Sequence, residues 1–505
     1  MKIAGLDVGT TGCKLTVFDE SGKELGKSYR DYPVRRNAGG HEIDVSALME
    51  GVYAVIEDMA AEYPDIAGIG VTSFGETFVM TDEKGNPLAP AMLYTDPRGR
   101  EECRELAERC GDTGIARITG VTPHEMYGLP KIMWRKKHNP EIFEKTRHIF
   151  QMEDYVVFAL TDNAQIDYSL AARSMAFDIN SLSFSDEVLE AAGIDKGLFS
   201  KPVATGTDAG PVTPEAAKRT GLSQDTRIVS VSHDQVAACI GAGAFDERVA
   251  VDGAGTVQCL TPIFDGMPEV MKMMPGKYVI VPYVIPGKYV TYAFSYTGGA
   301  LIQWCTQNLA KHEAALAASS HTTVNEFLEK DYIQNRKLLG LDPDGPSGML
   351  TLPHFAGAAT PYMDTGSKGA IIGLTTDSRV SDIYRSCMEG VTYEMYLNYQ
   401  NVVKAGARPE IIHATGGGAH SAVWMQMKAD MLGLPVIALG TVDAGTVGSA
   451  MLTGIAVNIF KDLAEAGSKM IEKTSTYEPR PAYHEKYRAV FRRYEKLYDA
   501  VRGFV

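Results

Sequence analysis

The sequence predicts an α/β protein in which two related domains face each other across a cleft. Three observations support this prediction. Strand-like and helix-like segments alternate along the chain, as in layered α/β domains. A hairpin pattern at the start of the chain returns near its middle. The chain has 505 residues, which is too many for one ordinary core and favours two or three domains.

The first segment contains three strand-like runs, at residues 3–8, 14–19 and 24–32, separated by turns. This spacing predicts an antiparallel meander. Apolar residues then recur at helical spacing and predict an amphipathic helix over residues 46–63. A further strand is predicted over residues 66–73.

The meander begins with Asp7 at the end of a strand, followed by a loop that contains Gly9 and Thr10. Asp252 and the loop at Gly255 and Thr256 repeat this arrangement. Backbone N–H groups and hydroxyls suit a phosphate, and a carboxylate beside them suits Mg²⁺. The repeat predicts two loops that hold a polyphosphate from opposite sides of a cleft. The alternative is two unrelated hairpins with ordinary turn residues.

A third glycine-rich loop lies near the C-terminus. A strand at residues 411–414 meets Thr-Gly-Gly-Gly, and a helix is predicted from about residue 420. Glycines between a strand and a helix let a ligand approach the backbone amides and the positive end of the helix. Gly417 and Gly418 are therefore candidates for nucleotide contact, although a tight turn explains three glycines equally simply.

Composition argues against several classes of protein. The formal charge is −14, which argues against nucleic acid or an anionic membrane as the main partner. No apolar run approaches the ~20 residues of a membrane span. The seven cysteines form no CxxC pair, and the histidines show no zinc spacing. These features predict a cytoplasmic protein with reduced thiols.

Several ordered motifs resemble the FGGY family of carbohydrate kinases, within the actin-like ATPase superfamily. The segments that carry the resemblance include GLDVGTTGCKLTVFD, IDYSLAARSMAFDI, SHDQVAACIGAG, TGGGAHSAVWMQMKAD and DAGTVGSAML. The resemblance implies two actin-like (ribonuclease H-like) domains facing a central cleft. Residues 1–245 would bind the sugar and supply the catalytic base, and residues 246–505 would bind the nucleotide.

The resemblance implies ATP as the phosphoryl donor and Mg²⁺ as the metal. Asp234 is the expected catalytic base, because a carboxylate there can accept the proton of the attacking hydroxyl. Its alternative role is that of a helix N-cap. Asp7 is the expected Mg²⁺ ligand. The expected nucleotide-binding residues are Thr10, Thr11, Lys14, Gly255, Thr256, Gly299, Gln303, Gly417 and Gly418.

The expected acceptor site contains Glu76, which can accept hydrogen bonds from sugar hydroxyls. Gly75 precedes it where glycerol kinases carry arginine, and the small residue leaves room for a longer carbon chain. The other expected acceptor-binding residues are Asp96, Tyr127 and Gln235. Each has an alternative reading as a surface or packing residue.

These features predict an ATP-dependent kinase for a small sugar, with a ketopentose such as xylulose as the leading acceptor. Other acceptors remain as alternatives: another polyol, a deoxysugar or a sugar acid, of glycerol, erythritol or fuculose type. A different class is an actin-like ATPase without sugar kinase activity, acting as a chaperone or filament. Because members of the family are often dimers, the resemblance also raises a homodimer as an expectation.

Overall fold

Two six-stranded sheets form the centre of the molecule, one in each half of the chain. The computed structural model describes residues 1–37, 39–440 and 443–504. The first sheet has the strand order Glu24–Asp31, Gly12–Asp19, Lys2–Val8, Ile66–Ser73, Arg227–His233 and Thr207–Pro211. The second sheet has the order Ala293–Ser295, Gln258–Thr261, Val249–Ala254, Ile411–Thr415, Val436–Leu439 and Lys473–Tyr477.

The two sheets share one pattern of strand directions and differ in one connection, because the edge strand Thr207–Pro211 precedes its neighbour in the chain and the edge strand Lys473–Tyr477 follows its neighbour. In each, the first strand of the half lies centrally and pairs antiparallel with the second, which pairs antiparallel with the third. On the other side of the first strand lie two successive strands that are parallel to it, followed by an edge strand that is antiparallel to its neighbour. The predicted fold of two related α/β domains is therefore confirmed.

Helices and short strands surround these sheets. The helices of the first half are Val45–Glu62, Arg100–Cys110, Asp112–Thr119, Gly128–His138, Pro140–Phe143, Met152–Thr161, Tyr168–Ala171, Asp186–Ala192, Pro214–Thr220 and Asp234–Gly241. Those of the second half are Val270–Met273, Gly299–Asn308, Lys311–Ser319, Val324–Leu338, Val380–Lys404, Ala422–Leu432, Ala444–Ala456, Leu463–Met470, Pro481–Tyr494 and Leu497–Val501. Among the described residues, no helix is both long and apolar enough to cross a membrane.

Smaller elements complete the chain. The short strands are Val34–Asn37, Gly40–Ile43, Val79–Thr81, Ala91–Met92, His148–Phe150, Gln165–Asp167, Phe177–Asp178, Ser183–Phe184, Lys201–Val203, Ile263–Asp265, Val281–Pro282, Lys288–Val290, Leu350–Leu352 and Ala370–Ile372. The 3₁₀ helices are Ala172–Ser174, Lys196–Leu198, Met274–Gly276 and Gly417–His420.

The N-terminal meander and its helix form as predicted. The helix predicted over residues 46–63 is Val45–Glu62, and the Asp44 carboxylate caps it by accepting from the Ser46 and Ala47 amides. The apolar stripe that predicted this helix is buried against the sheet. The predicted strand Ile66–Ser73 is confirmed at both ends.

Two helices from opposite halves cross each other at very short range. One is Asp234–Gly241, and the other is Ala444–Ala456. A Cβ atom added at Gly241 would lie 1.9 Å from the Ala444 carbonyl oxygen, and one at Gly448 would lie 2.0 Å from the Ala237 carbonyl oxygen. Only glycine fits at both contact points. We call this pair the crossing helices.

The second crossing helix, Ala444–Ala456, also packs on the sheet of the first half. A Cβ at Gly5 would lie 2.1 Å from the Thr446 carbonyl oxygen, and one at Gly70 would lie 2.2 Å from the Thr453 hydroxyl. The last part of the chain is thereby anchored on the first sheet. The expected domain division after residue 245 stays a prediction, because this helix belongs by sequence to one half and by packing to the other.

We expect Gly448→Ala to destabilise the protein, because the added methyl group collides with backbone that cannot rotate away. Overpacking of this kind typically costs about 1–3 kcal/mol. Gly114→Ala is the matched control, since a Cβ at Gly114 meets no atom within 4 Å and alanine is favoured in a helix by roughly 1 kcal/mol. Thermal unfolding should show a lower midpoint for Gly448→Ala alone. Equal midpoints for both variants would contradict the crossing geometry.

Candidate active site

The hairpin that contains Gly255 and Thr256 joins the start of a helix. The Gly299 amide donates to the Gly255 carbonyl at 2.8 Å, and the Ala300 amide donates to the Thr256 carbonyl at 3.0 Å. The helix Gly299–Asn308 begins at this point. These two hydrogen bonds hold the N-terminus of the helix directly against the hairpin.

The third glycine loop packs against the same hairpin. Gly416 has a φ of +89°, and a Cβ there would lie 2.9 Å from the Ala254 carbonyl oxygen. A Cβ at Gly418 would lie 2.9 Å from the Ala254 methyl carbon. After the loop, a 3₁₀ turn covers Gly417–His420 and the α-helix begins at Ala422, two residues later than predicted.

An open cleft of about 680 Å³ lies between these two loops. Gly299, Gln303, Gly417 and Gly418 line it, so four of the predicted nucleotide residues share one cavity. Its size is in the usual range for a small-ligand site, about 300–1,000 Å³. We call it the nucleotide cleft.

Asp234 lies at the first position of a crossing helix, directly after the strand Arg227–His233. His233 is the N-cap residue, and no side-chain hydrogen bond caps this helix. The Asp234 Oδ1 atom is buried and has no hydrogen-bond partner within the described part of the chain. Burial and the nearby carboxylates of Asp7 and Glu76 raise the pKa of Asp234 to about 7. The carboxylate is therefore poised to accept a proton near neutral pH.

Glu76 and Arg173 form a buried ion pair beside Asp234. The Glu76 Oε1 atom accepts from Arg173 Nε at 2.6 Å and also from Arg173 Nη2. Both side chains are almost completely buried. Glu76 has a φ of +62°, which is uncommon for a residue other than glycine and typical of functional sites.

Aromatic rings enclose this ion pair. The Arg173 guanidinium carbon lies 5.3 Å from the Tyr127 ring centre and 5.5 Å from that of Tyr292. His233 stacks on Tyr292 with ring centres 5.2 Å apart, and its Nε2 atom lies 3.4 Å from Asp234 Oδ1. Burial and the Arg173 charge hold the pKa of His233 well below its usual range, so the ring is neutral. We call Glu76, Arg173, His233, Asp234 and Tyr292 the acceptor cluster.

Comparison with known proteins identifies the family. Residues 2–241 match the N-terminal domain of the FGGY family of carbohydrate kinases, and residues 271–457 match its C-terminal domain. The chain belongs to this family. Kinases of the family use ATP as the phosphoryl donor.

Individual relatives extend over almost the whole chain. The xylulose kinase of Bacillus subtilis is 25% identical over 501 residues, covering 98% of this chain and 96% of the relative. The gluconokinase of the same organism is 26% identical, covering 96% and 93%. The crystal structure of a ligand-bound xylulose kinase from Lactobacillus acidophilus superimposes with a TM-score of 0.88 at 24% identity, covering 100% and 99%.

The hairpin that contains Thr10 and Thr11 carries a cluster of charges. The Lys14 ammonium pairs with the Asp443 carboxylate, which precedes the second crossing helix. Burial and the Asp443 charge raise the pKa of Asp7 to about 6, against the opposing effect of Lys14. Thr10 and Thr11 lie at the tip, where the Gly9 amide donates to the Gly12 carbonyl at 2.9 Å.

The charge cluster is suitable for a hydrated Mg²⁺ ion. Two carboxylates, Asp7 and Asp443, lie near one ammonium group, that of Lys14, so the carboxylates outnumber the cation. Across residues 1–37, 39–440 and 443–504, no group of three or more His, Cys, Asp or Glu side chains could hold a metal. Mg²⁺ commonly binds one or two carboxylates and completes its shell with water and phosphate oxygens. The residues present fit that mode.

The equivalent acid of the second hairpin is used differently. Asp252 is completely buried, and its Oδ2 atom accepts from the Lys428 ammonium at 2.5 Å. Gln258 donates to its other oxygen. The sequence repeat therefore corresponds to a repeated hairpin, but Asp252 is neutralised by a buried lysine, whereas Asp7 lies near Lys14 and Asp443.

The remaining predicted acceptor residues have different surroundings. The Asp96 carboxylate accepts from Arg98 Nε at 2.8 Å, Arg98 Nη2 at 2.6 Å and the His41 amide at 2.7 Å. Its oxygens are thus already engaged. Tyr127 is buried over Arg173, and Gln235 lies half-buried next to Asp234.

Gly75 makes room for protein side chains. A Cβ at Gly75 would lie 2.9 Å from His233 Cδ2 and 3.1 Å from Arg173 Cγ. The expectation that this glycine opens space beside Glu76 agrees with the geometry, but Arg173 and His233 occupy that space.

Sequence reasoning did not select four residues of the site: Arg173, His233, Tyr292 and Asp443. Arg173 lies in the IDYSLAARSMAFDI motif, which was a usable signal. Tyr292 has no local signal, because it reaches the acceptor cluster from the second half of the chain.

We expect Gly417→Val to weaken ATP binding without disturbing the fold. A Cβ at Gly417 meets no atom within 4 Å, and the residue lines the nucleotide cleft. The valine side chain should therefore occupy ligand space and raise the Kd for ATP by about tenfold, equivalent to ~1.4 kcal/mol. Titration calorimetry and the thermal midpoint provide the measurements, with Gly417→Ala as the smaller control. An unchanged ATP affinity would place the nucleotide elsewhere.

Proposed function

We propose that this kinase transfers the γ-phosphoryl group of ATP to a hydroxyl of a small ketose, with a 2-ketopentose such as xylulose as the leading acceptor. The Asp234 Oδ1 atom, which is buried without a hydrogen-bond partner among the described residues, carries the proposal. It lies on a rigid strand-to-helix junction, beside an enclosed polar cluster, and its pKa of about 7 suits a general base. The full-length similarity to xylulose kinases supports the choice of acceptor.

In the proposed reaction, Asp234 accepts the proton of one acceptor hydroxyl. That oxygen forms a bond with the γ-phosphorus as the bond to the β–γ bridging oxygen breaks, and ADP leaves. Such transfers depend mainly on positioning and charge neutralisation. Glu76 and Gln235 contact other acceptor oxygens, and Tyr127 closes the cluster.

The phosphate chain lies between the two hairpins. Thr10 and Thr11 bind it from one side, Gly255 and Thr256 from the other, and Lys14 contributes positive charge. The adenosine occupies the nucleotide cleft, along Gly299, Gln303, Gly417 and Gly418. Asp7, with Asp443 nearby, would hold Mg²⁺, which when bound neutralises phosphate charge. Asp96 has a supporting role through Arg98.

The proposal assigns acceptor binding and the base to residues 1–245 and nucleotide binding to residues 246–505. Tyr292 is the exception, since it joins the acceptor cluster from the second part. We also propose a cytoplasmic homodimer. The cytoplasmic location is supported by seven free cysteines, and the homodimer by the frequent dimerisation of family members.

A sugar acid is the second candidate acceptor, because gluconokinase is also a full-length relative. The charges of the site disfavour it. Glu76 already neutralises Arg173, and the carboxylates of Asp7 and Glu76 raise the pKa of Asp234. An acceptor carboxylate would add a further negative charge to this field.

A panel of acceptors in a coupled ADP-release assay tests the proposal. We expect kcat/KM to be highest for a 2-ketopentose and at least about tenfold lower for pentitols, glycerol and aldonic acids, a gap of ~1.4 kcal/mol. An acceptor-free reaction is the control for simple ATP hydrolysis. A higher kcat/KM for gluconate or glycerol would contradict the ketose assignment. If the rate of ADP release is the same with and without each acceptor, the protein is instead an ATPase without sugar kinase activity.

A further inference from the structure

We propose that Arg173 binds the carbonyl oxygen of an open-chain ketose and thereby selects ketoses over the corresponding alditols. This inference rests on the proposed function and adds a specificity residue to it. Arg173 follows the short helix Tyr168–Ala171, far in sequence from both Glu76 and Asp234.

The guanidinium group is fixed by three neighbouring side chains. Glu76 accepts from its Nε and Nη2 atoms, and its central carbon lies 5.3 Å from the Tyr127 ring centre and 5.5 Å from that of Tyr292. A planar guanidinium held by a carboxylate and two aromatic rings has little freedom to rotate. The orientation of its third nitrogen, Nη1, is consequently fixed by these neighbouring side chains.

Gly75 permits this arrangement. The Arg173 Cγ atom lies 3.1 Å and the His233 Cδ2 atom 2.9 Å from the place where a Cβ would stand at residue 75. A larger residue would push both side chains away from Glu76. The glycine therefore allows an arginine from a distant segment to approach the carboxylate.

Four polar atoms of the acceptor cluster lack partners. Among the described residues, Arg173 Nη1, Tyr292 Oη, His233 Nδ1 and Asp234 Oδ1 are buried without a hydrogen bond. Buried polar groups in proteins are nearly always hydrogen-bonded, so this concentration indicates a ligand that supplies the missing partners. Arg173 Nη1 can only donate, and the Tyr292 hydroxyl can also donate.

A ketone oxygen matches these donors. It has two lone pairs and no proton, so it can accept from both Arg173 Nη1 and Tyr292 Oη. A 2-ketopentose that closes into a five-membered ring uses its C5 hydroxyl to do so. Phosphoryl transfer to that hydroxyl therefore requires the open chain, in which the C2 carbonyl is free. Asp234 would receive the C5 proton while Arg173 holds the carbonyl.

A carboxylate would also accept from Arg173, but it is the weaker match. The directly contacting Glu76 carboxylate neutralises the Arg173 charge. In the described structure, no second arginine or lysine makes an ion pair with Glu76. A neutral carbonyl needs only the free N–H group and adds no charge to the cluster. The aldonic acid enters the experiment as a comparison.

Kinetics of the full-length enzyme with a 2-ketopentose and with the pentitol formed by its reduction at C2 provide the test. Arg173→Lys keeps the positive charge opposite Glu76 but loses the guanidinium fork. We expect the kcat/KM ratio of ketose to pentitol to fall by about 10- to 100-fold, the range for a lost hydrogen bond to a charged group. The loss should lie mainly in the ketose KM, with the ATP KM unchanged.

Gly75→Ala is the second variant, since it displaces Arg173 without removing it, and the ratio should fall in the same direction. Arg227→Lys is the matched control, because Arg227 pairs with Asp208 at the opposite end of the strand that leads to His233. Its ratio should equal that of the wild type. Thermal midpoints identify any variant that fails to fold.

The outcomes separate the two claims. If the wild type prefers the ketose and Arg173→Lys keeps that preference, or loses both acceptors equally, the Arg173 inference is wrong and the proposed function stands. If the wild type prefers the pentitol or an aldonic acid, the ketose assignment fails and the carbonyl inference fails with it. A selective loss of ketose activity in both variants supports the inference.

Discussion

The close crossing of two helices between the halves of the molecule determines where the catalytic groups lie. Gly241 and Gly448 bring the helix backbones to within a distance that excludes even a methyl group. Asp234 begins one of these helices, and Asp443 precedes the other. The crossing therefore fixes the expected base and the charge cluster at the first hairpin relative to each other. Glycines on the first sheet, at positions 5 and 70, hold the second helix in the same register.

This constraint explains how two distant segments build one site. The acceptor cluster draws Glu76, Arg173, His233 and Asp234 from the first half and Tyr292 from the second. The nucleotide cleft lies wholly in the second half, along the helix Gly299–Asn308 and the glycine loop. In the proposed function each ligand thus has its own region, and the hairpins at Thr10 and Thr256 would provide the phosphate contacts between them. Movement about the crossing would change the distance between the two regions.

The sequence predicted the features that depend on local pattern. Strand and helix periodicity located the meander, the helix Val45–Glu62 and the strand Ile66–Ser73. The hairpin repeat predicted two related domains, and the two sheets share one pattern of strand directions. Asp234 was selected because the segment SHDQVAACIGAG resembles the catalytic loop of the family, since its local pattern fits a helix N-cap equally well. The structure shows His233 in the N-cap position.

Contacts between residues far apart in sequence could not be predicted from the local sequence pattern. Arg173 and Glu76 are 97 positions apart, and nothing in either neighbourhood indicates that they pair. Tyr292 approaches from the other half of the chain, and Asp252 differs from Asp7 only because Lys428 reaches it from a remote helix. In each case the role of the residue is decided by a partner that the fold supplies.

The central claim is that Asp234 acts as a base in the cleft and not as a helix cap. The pH dependence of kcat/KM for the wild type and for Asp234→Asn tests it most directly. Because the pKa of Asp234 is raised to about 7, the carboxylate gains a proton as the pH falls, and wild-type activity should decline below about pH 7. Asparagine cannot accept the proton, so the variant should lose this decline and turn over about 10²- to 10⁴-fold more slowly.

Asp462→Asn serves as the control, because the Asp462 side chain caps the helix Leu463–Met470. It should keep both the wild-type rate and the wild-type pH profile. Thermal midpoints of the two variants should stay close to that of the wild type. A folded Asp234→Asn enzyme with wild-type turnover and the same decline of kcat/KM at low pH would contradict the account.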